Sequence, residues 1–180
     1  MGDFLFSVII LDMEMWDLYD KNEVKTGLTI TKRFSDIPAG YFHIVVETLV
    51  KHRDGTYLVM QRDFNKKESP GVYEGSAGGS ILAGESKIDG AIREVLEETG
   101  LHVKHIEPTY YFINVAKGVI NQGYLALVDD PSKKIVYQPG ETINHQWLTL
   151  EELKAFIKTP AYNANHYRRL VTYLDTINES

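Results

Sequence analysis

Short apolar runs separated by turn residues dominate the first half of the chain. The run YFHIVVETLV at 41–50 is rich in β-branched and aromatic residues, and the turn at 52–55 separates it from the run TYLVMQR. This arrangement predicts a β-hairpin. A second hairpin is predicted closer to the N-terminus, where Asp20-Lys21-Asn22 separates WDLY from VKTG. Two later strands are predicted at 110–115 and 123–128.

The pattern becomes helical after residue 85. Apolar residues then recur at spacings of three and four, which predicts a helix over 86–99 that ends at Gly100. Two further helices are predicted at 150–158 and 165–176, the first opened by a capping box of Thr149 and Glu152. Strands around one central helix, with helices at the end, predict a single α/β or α+β domain over 1–180.

Composition then excludes several classes of protein. The chain has 180 residues, a formal net charge of −6 and no cysteine. It therefore has no disulfide framework, no Fe–S or thiolate zinc site and no cysteine nucleophile. An acidic chain without a long basic run is not expected to bind nucleic acid. The apolar run at 4–11 is too short to span a membrane and lacks a preceding basic region, so we expect a cytoplasmic protein in which this run forms a buried strand or packing arm.

Three glutamates of the predicted central helix suggest chemistry. Glu94, Glu97 and Glu98 lie at i, i+3 and i+4, so their carboxylates share one helix face and repel one another. A divalent cation would offset this repulsion, and carboxylate oxygens suit Mg²⁺ or Mn²⁺. The triplet alone is more typical of a solvated acidic face.

The wider spacing favours the metal site. Gly79, Glu85 and Arg93 precede these glutamates, and the whole stretch fits the pattern G-x5-E-x7-R-E-U-x-E-E-x-G-U, where U is aliphatic and the last glycine is Gly100. This resembles the Nudix box of the Nudix (MutT-like) hydrolases, which cleave a nucleoside diphosphate linked to another moiety. The similarity spans 41–156 and implies an α/β/α sandwich with a central mixed sheet and a catalytic helix. Residues 1–40 would be an N-terminal extension and 157–180 a C-terminal helix.

The resemblance implies roles for the residues of the box. Glu94, Glu97 and Glu98 would hold Mg²⁺ or Mn²⁺, which activates a water for attack on phosphorus, and Glu94 would also orient or deprotonate that water. The backbone carbonyl of Gly78 would complete the coordination. Arg93 and Glu85 would form an orienting pair, for which an ordinary structural ion pair is the alternative. Gly79, Glu85 and Gly100 would be the structural positions of the box.

Residues outside the box provide further candidates. Glu141, six residues before Trp147, is the first candidate for a general base, and an exposed loop glutamate is an equal alternative. His145 and Asp130 are weaker candidates. Gly78 and Gly79 would allow close approach of the backbone to a ligand. Three basic residues could contact phosphate, although a solvated loop position is favoured for the two lysines: Arg62, Lys66 and Lys67.

Part of the chain also resembles isopentenyl-diphosphate isomerase. His43 occupies the position of a metal-binding histidine of that family, and we interpret it as a polar residue of the core or pocket. The isomerase requires a catalytic cysteine where this chain has Gly78, and a second histidine where it has Ser80. Hydrolysis is therefore favoured. A non-catalytic Nudix-like nucleotide sensor is a further alternative, and the family resemblance also makes a homodimer possible.

Overall fold

The computed structural model describes residues 14–31 and 37–177. In chain order the elements are β1 (Met15–Tyr19), β2 (Lys25–Thr31), β3 (His43–His52), β4 (Tyr57–Arg62), β5 (Tyr73–Glu74), β6 (Ala77–Ser80), α1 (Lys87–Thr99), β7 (His105–Asn114), β8 (Val119–Val128), β9 (Thr142–Leu148), α2 (Leu150–Phe156) and α3 (Ala164–Leu174). None of the helices in these two ranges is long and apolar enough to cross a membrane.

A seven-stranded mixed sheet forms the centre of the fold. Its strand order is β5-β4-β3-β8-β7, with β6 also paired to β3 and β9 to β4. Strands β3 and β8 are parallel and the remaining pairs are antiparallel. Alternate residues of β3 face opposite layers: Val46 packs with Ala91 of α1, whereas Leu49 packs with Leu153 of α2 and Leu170 of α3. The predicted α/β/α sandwich is confirmed.

Local capping sets the ends of α1. The Ser86 side chain accepts a hydrogen bond from the Asp89 backbone N–H. Gly100 adopts the left-handed conformation at φ 74° and donates its N–H to the Leu96 carbonyl. The helix therefore begins and ends within one residue of the predicted bounds.

The apolar residues of α1 do not all face the core. Ala91 and Val95 are fully buried against the sheet, whereas Ile88, Ile92 and Leu96 are 47%, 37% and 43% exposed. The buried and the exposed apolar residues form two adjacent rows along the helix, and the sheet covers only the first row. Sequence periodicity does not distinguish these rows because both have the same helical spacing.

Two strands are longer than predicted. The strand predicted at 110–115 begins at His105, and the strand predicted at 123–128 begins at Val119. A register irregularity between Pro108 and Tyr111 interrupts the first strand. The second strand was predicted to begin too late because polar residues stand near its start. Most of β8 is nevertheless buried, because it lies between β3 and β7.

The predicted N-terminal hairpin is present as β1 and β2. The Met15 carbonyl accepts a hydrogen bond from the Ala83 N–H at 2.7 Å, and Glu23 forms a 2.6 Å ion pair with Lys87 of α1. These contacts dock the hairpin against the loop and helix of the Nudix-like box. The predicted strand or arm at 4–11 lies outside the described residues, and the division at 40 and 156 remains a prediction.

Candidate active site

Arg93 connects most of the charged residues of the box. Its Nε and Nη2 donate to the two Glu85 oxygens at 2.8 and 2.9 Å, and Nη2 also donates to the Ser80 carbonyl at 3.1 Å. Its Nη1 donates to Glu94 at 2.8 Å and to Glu97 at 3.2 Å. Hydrogen bonding to Arg93 lowers the pKa of Glu85, and hydrogen bonding to Glu85 raises that of Arg93. Arg93 and Glu85 are therefore paired. Through its bond to the Ser80 carbonyl, the guanidinium also fixes Glu94 and Glu97 relative to β6.

Replacing Arg93 with Lys tests this positioning role. A lysine keeps the charge, but its single ammonium group does not reproduce the planar five-contact fork. We expect kcat/KM to fall about 100-fold, because a small displacement of reacting groups has an effect of this order. Steady-state kinetics on Arg93→Lys, compared with Arg53→Lys in the exposed β3–β4 turn, provides the measurement. Equal activity of the two variants would contradict the positioning role.

Glu98 occupies a different environment from its neighbours. It is only 8% exposed, and its carboxylate accepts a hydrogen bond from the Gly78 backbone N–H. Burial, together with the charges of Glu94, Glu74 and Glu141, raises its pKa well above the ordinary value. Burial also raises the pKa of Glu94, against the lowering effect of Arg93. The structure therefore concentrates carboxylates whose mutual repulsion is only partly compensated.

The donors of this cluster suit a divalent cation. Within 14–31 and 37–177, no three His, Asp or Glu side chains are grouped closely enough to hold a metal ion as they stand, and Arg93 Nη1 bridges Glu94 and Glu97. The donor chemistry nevertheless fits, because carboxylate oxygens are the preferred ligands of Mg²⁺ and Mn²⁺. A cation would also relieve the repulsion that adds to the effect of burial in raising the pKa of Glu98.

Gly78 and Gly79 bring β6 close to both of its neighbours. A Cβ on Gly79 would lie 2.6 Å from Glu94 Oε2 and closer still to Oε1. A Cβ on Gly78 would lie 2.9 Å from the Val46 carbonyl oxygen on β3. Neither position accommodates a side chain without movement of its surroundings.

The loop after β4 contacts Glu141, which immediately precedes β9. Lys66, for which the sequence favours a solvated loop position, forms an ion pair with Glu141. Glu141 is 38% exposed at its side chain, and its charge acts on Glu98. Arg62 forms an ion pair with Glu74 on β5. No role was predicted for Glu74, although it lies four residues before Gly78.

The two weaker candidates for a general base have other partners. Asp130 accepts hydrogen bonds from the Ser132 backbone at 2.9 Å and hydroxyl at 2.8 Å. His145 Nδ1 lies 2.6 Å from the Tyr137 hydroxyl, and burial lowers its pKa. Glu141 is therefore the candidate whose surroundings connect it to the box glutamates.

Two adjoining cavities extend from the box across the face of the sheet covered by α3. A cavity of about 120 Å³ is lined by Gly78, Glu47 and His166, among others. It shares Arg62 and Glu74 with a larger cavity of about 500 Å³. This volume is within the usual range for small-molecule sites.

A buried polar network forms the boundary of the smaller cavity. Glu47 on β3 forms an ion pair with Arg169 of α3 and accepts a hydrogen bond from the Tyr110 hydroxyl at 2.7 Å. His166 Nε2 lies 3.1 Å from that hydroxyl, and its Nδ1 accepts a hydrogen bond from the Gly75 N–H at 3.0 Å. This network fixes α3 against the sheet beside the box.

Comparison with known proteins identifies the family. The model of the NUDIX domain matches residues 42–171. The chain belongs to the Nudix family. The matched region continues past residue 156 and includes most of α3, so the helix that lines the cavities is part of the Nudix domain. As a Nudix hydrolase, the protein acts on acid anhydrides in phosphorus-containing substrates.

Individual relatives include Nudix hydrolases and isomerases. The chain is 29% identical over 143 residues to the uncharacterised Nudix hydrolase lmo0368 of Listeria monocytogenes, covering 79% of this chain and 84% of the relative. It is 30% identical over 146 residues to the isopentenyl-diphosphate Δ-isomerase of Dinoroseobacter shibae, covering 73% and 82%. The crystal structure of DR0079 from Deinococcus radiodurans has a TM-score of 0.66 at 21% identity, covering 86% of this chain and 98% of that one. This last similarity concerns the fold.

Proposed function

We propose that this protein is a metal-dependent hydrolase that cleaves the diphosphate bond of a nucleoside diphosphate linked to another moiety. The observation that carries the proposal is the clustering of the box carboxylates. Glu98 is buried against Gly78, Glu94 and Glu97 are fixed by Arg93, and the charge of Glu141 acts on the same cluster. A solvated acidic face would not bury Glu98 to 8% exposure.

The residues of this cluster divide the work of hydrolysis. Glu94, Glu97 and Glu98, with the Gly78 carbonyl, would hold Mg²⁺ or Mn²⁺, which when bound neutralises phosphate charge and activates a water for attack on phosphorus. Arg93 keeps two of these carboxylates in place through the hydrogen bonds described above.

The remaining site residues accept the proton of the attacking water and bind the substrate. Glu141, on the loop before β9, accepts the proton of the attacking water, and its partner Lys66 holds it near Glu98. Arg62, fixed by Glu74 at the junction of the two cavities, contacts a phosphate of the substrate.

Removal of divalent cations tests the metal dependence. In excess chelator we expect hydrolysis of diphosphate substrates to fall at least about 100-fold, because the box carboxylates repel an anionic diphosphate unless a divalent cation neutralises the charge between them. Excess Mg²⁺ or Mn²⁺ should restore it, with the circular dichroism spectrum unchanged throughout. Full activity in chelator would contradict the metal mechanism.

An isomerase is the second candidate, because several relatives are isopentenyl-diphosphate isomerases. The residue at the position of the isomerase's required cysteine argues against this activity. Gly78 stands there, the chain contains no cysteine at all, and a Cβ at this position would lie 2.9 Å from the Val46 carbonyl. Hydrogen exchange from solvent into isopentenyl diphosphate, without release of phosphate, would favour the isomerase over the hydrolase.

A further inference from the structure

Asn121 is a buried amide that makes no side-chain hydrogen bond to any residue in 14–31 or 37–177. It lies on β8, is 8% exposed and lines the larger cavity. The next residue, Gln122, is equally buried, but its amide donates to the carbonyls of Tyr110 and Gly123, both at 3.1 Å. Buried amides are normally satisfied as Gln122 is. The Asn121 amide atoms open into the cavity and bond to no described residue, so they are available to a ligand there.

Phe112 is the cross-strand neighbour of Asn121. The two residues are paired in the register of β7 and β8 and both line the cavity, which places their side chains on the same face of the sheet. Phe112 is 46% exposed. An exposed aromatic face beside an amide edge is suited to a flat ring that also forms hydrogen bonds.

Cations outnumber carboxylates in the lining of the cavity. Four cations line it, against two carboxylates: Arg62, Lys117, Arg168 and Arg169 against Glu68 and Glu74. Glu74 pairs with Arg62, and Arg169 is held by Glu47. Arg168 is exposed and has no ion pair within the described ranges. Because Lys117 also pairs with Glu68 at 3.9 Å, Arg168 supplies the positive charge that this lining offers to a phosphate.

We propose that the larger cavity binds the nucleoside half of the substrate, with the base stacked on Phe112 and its edge hydrogen-bonded to Asn121. This inference rests on the proposed function and adds to it the orientation and the base-reading residues. Arg62 lines both cavities, so it would bind the phosphates where they extend from the larger cavity past Gly78 towards the glutamates. Adenine fits the amide, because its edge sets an amino donor beside a ring-nitrogen acceptor.

Calorimetric titration with three product-like probes tests this directly. The probes are AMP, purine riboside monophosphate, which lacks the amino group, and ribose 5-phosphate, which lacks the base. For the wild-type protein in chelator we expect AMP to bind about tenfold more tightly than ribose 5-phosphate, with the purine compound between them. Asn121→Leu should make AMP equal to the purine compound. Phe112→Ala should weaken both bases towards ribose 5-phosphate.

Tyr111→Ala is the matched control. Tyr111 is adjacent to Phe112, has the same 46% exposure and hydrogen-bonds to Glu23 instead of lining this cavity, so its variant should bind all three probes like the wild type. Equal wild-type affinity for AMP and ribose 5-phosphate, or unchanged AMP binding in both Phe112→Ala and Asn121→Leu, would overturn the inference. Selective AMP binding without any hydrolytic activity would support the cavity assignment and refute only the proposed function.

Discussion

Glu98→Gln is expected to lower kcat about 1,000-fold or more, the largest effect among the substitutions considered. The exchange keeps the shape of the side chain and removes the charge that the buried carboxylate contributes to the cluster. Single-turnover hydrolysis with Mg²⁺ provides the measurement, because it separates the chemical step from product release. Glu107→Gln, at a carboxylate of β7 that is 52% exposed at its side chain, serves as the control. Comparable rates for the two variants would show that Glu98 has no part in catalysis.

The same substitution should stabilise the metal-free protein at alkaline pH. Because the folded protein raises the pKa of Glu98 above its ordinary value of 4.5, the folded state favours the protonated form. Its ionisation therefore destabilises the fold as the pH rises above 4.5 towards the folded pKa. In chelator at pH 8 we expect the Tm of Glu98→Gln to exceed that of the wild type by about 3 °C.

Thermal unfolding over a series of pH values tests the sign of this effect. The difference in Tm should disappear below pH 4.5, where Glu98 is protonated in both states. A destabilised Glu98→Gln at pH 8 would contradict the uncompensated charge that we assign to this residue.

Gly79→Ala is expected to lower kcat/KM about 100-fold, because displacing a reacting group by about 1 Å has an effect of this size. The added Cβ would lie 2.6 Å or less from the Glu94 carboxylate, which must then move and release its 2.8 Å hydrogen bond to Arg93. Steady-state kinetics together with the Tm provides the measurement.

Ser80→Ala is the control for Gly79→Ala. It changes the adjacent residue of β6 but leaves the Ser80 carbonyl, which holds Arg93, in place. Its activity should remain near that of the wild type. If Gly79→Ala were equally active, the close approach of β6 to Glu94 would be irrelevant to catalysis.

The bounds of α1 could be predicted from the sequence, because they depend on residues close together in the chain. The capping serine and the terminal glycine of α1 specify its ends, since these interactions involve residues only three or four positions apart. The helical spacing also placed the three glutamates on one face, and the resemblance to the Nudix box suggested that Arg93 and Glu85 form a pair, which the structure contains.

The remaining features depend on contacts between distant parts of the chain. The residues of the Lys66–Glu141 pair are 75 positions apart in the sequence, and those of the Arg169–Glu47 pair are 122 apart. No local sequence pattern therefore predicts either pair. Similarly, the free amide of Asn121 becomes evident only when β7, β8 and α3 surround the cavity. In the sequence, Asn121 and Gln122 are two adjacent polar residues with no visible difference.

Phosphorus-31 NMR of the reaction products tests the central claim most directly. We predict that, with Mg²⁺, the wild-type protein converts the paired diphosphate signals of a nucleoside diphosphate derivative such as ADP-ribose into two phosphomonoester signals, whereas Glu98→Gln leaves them unchanged. Cleavage in H₂¹⁸O should place the label on a phosphate oxygen of one product. Intact diphosphate signals across a panel of such derivatives, together with solvent hydrogen exchange into isopentenyl diphosphate, would contradict the account.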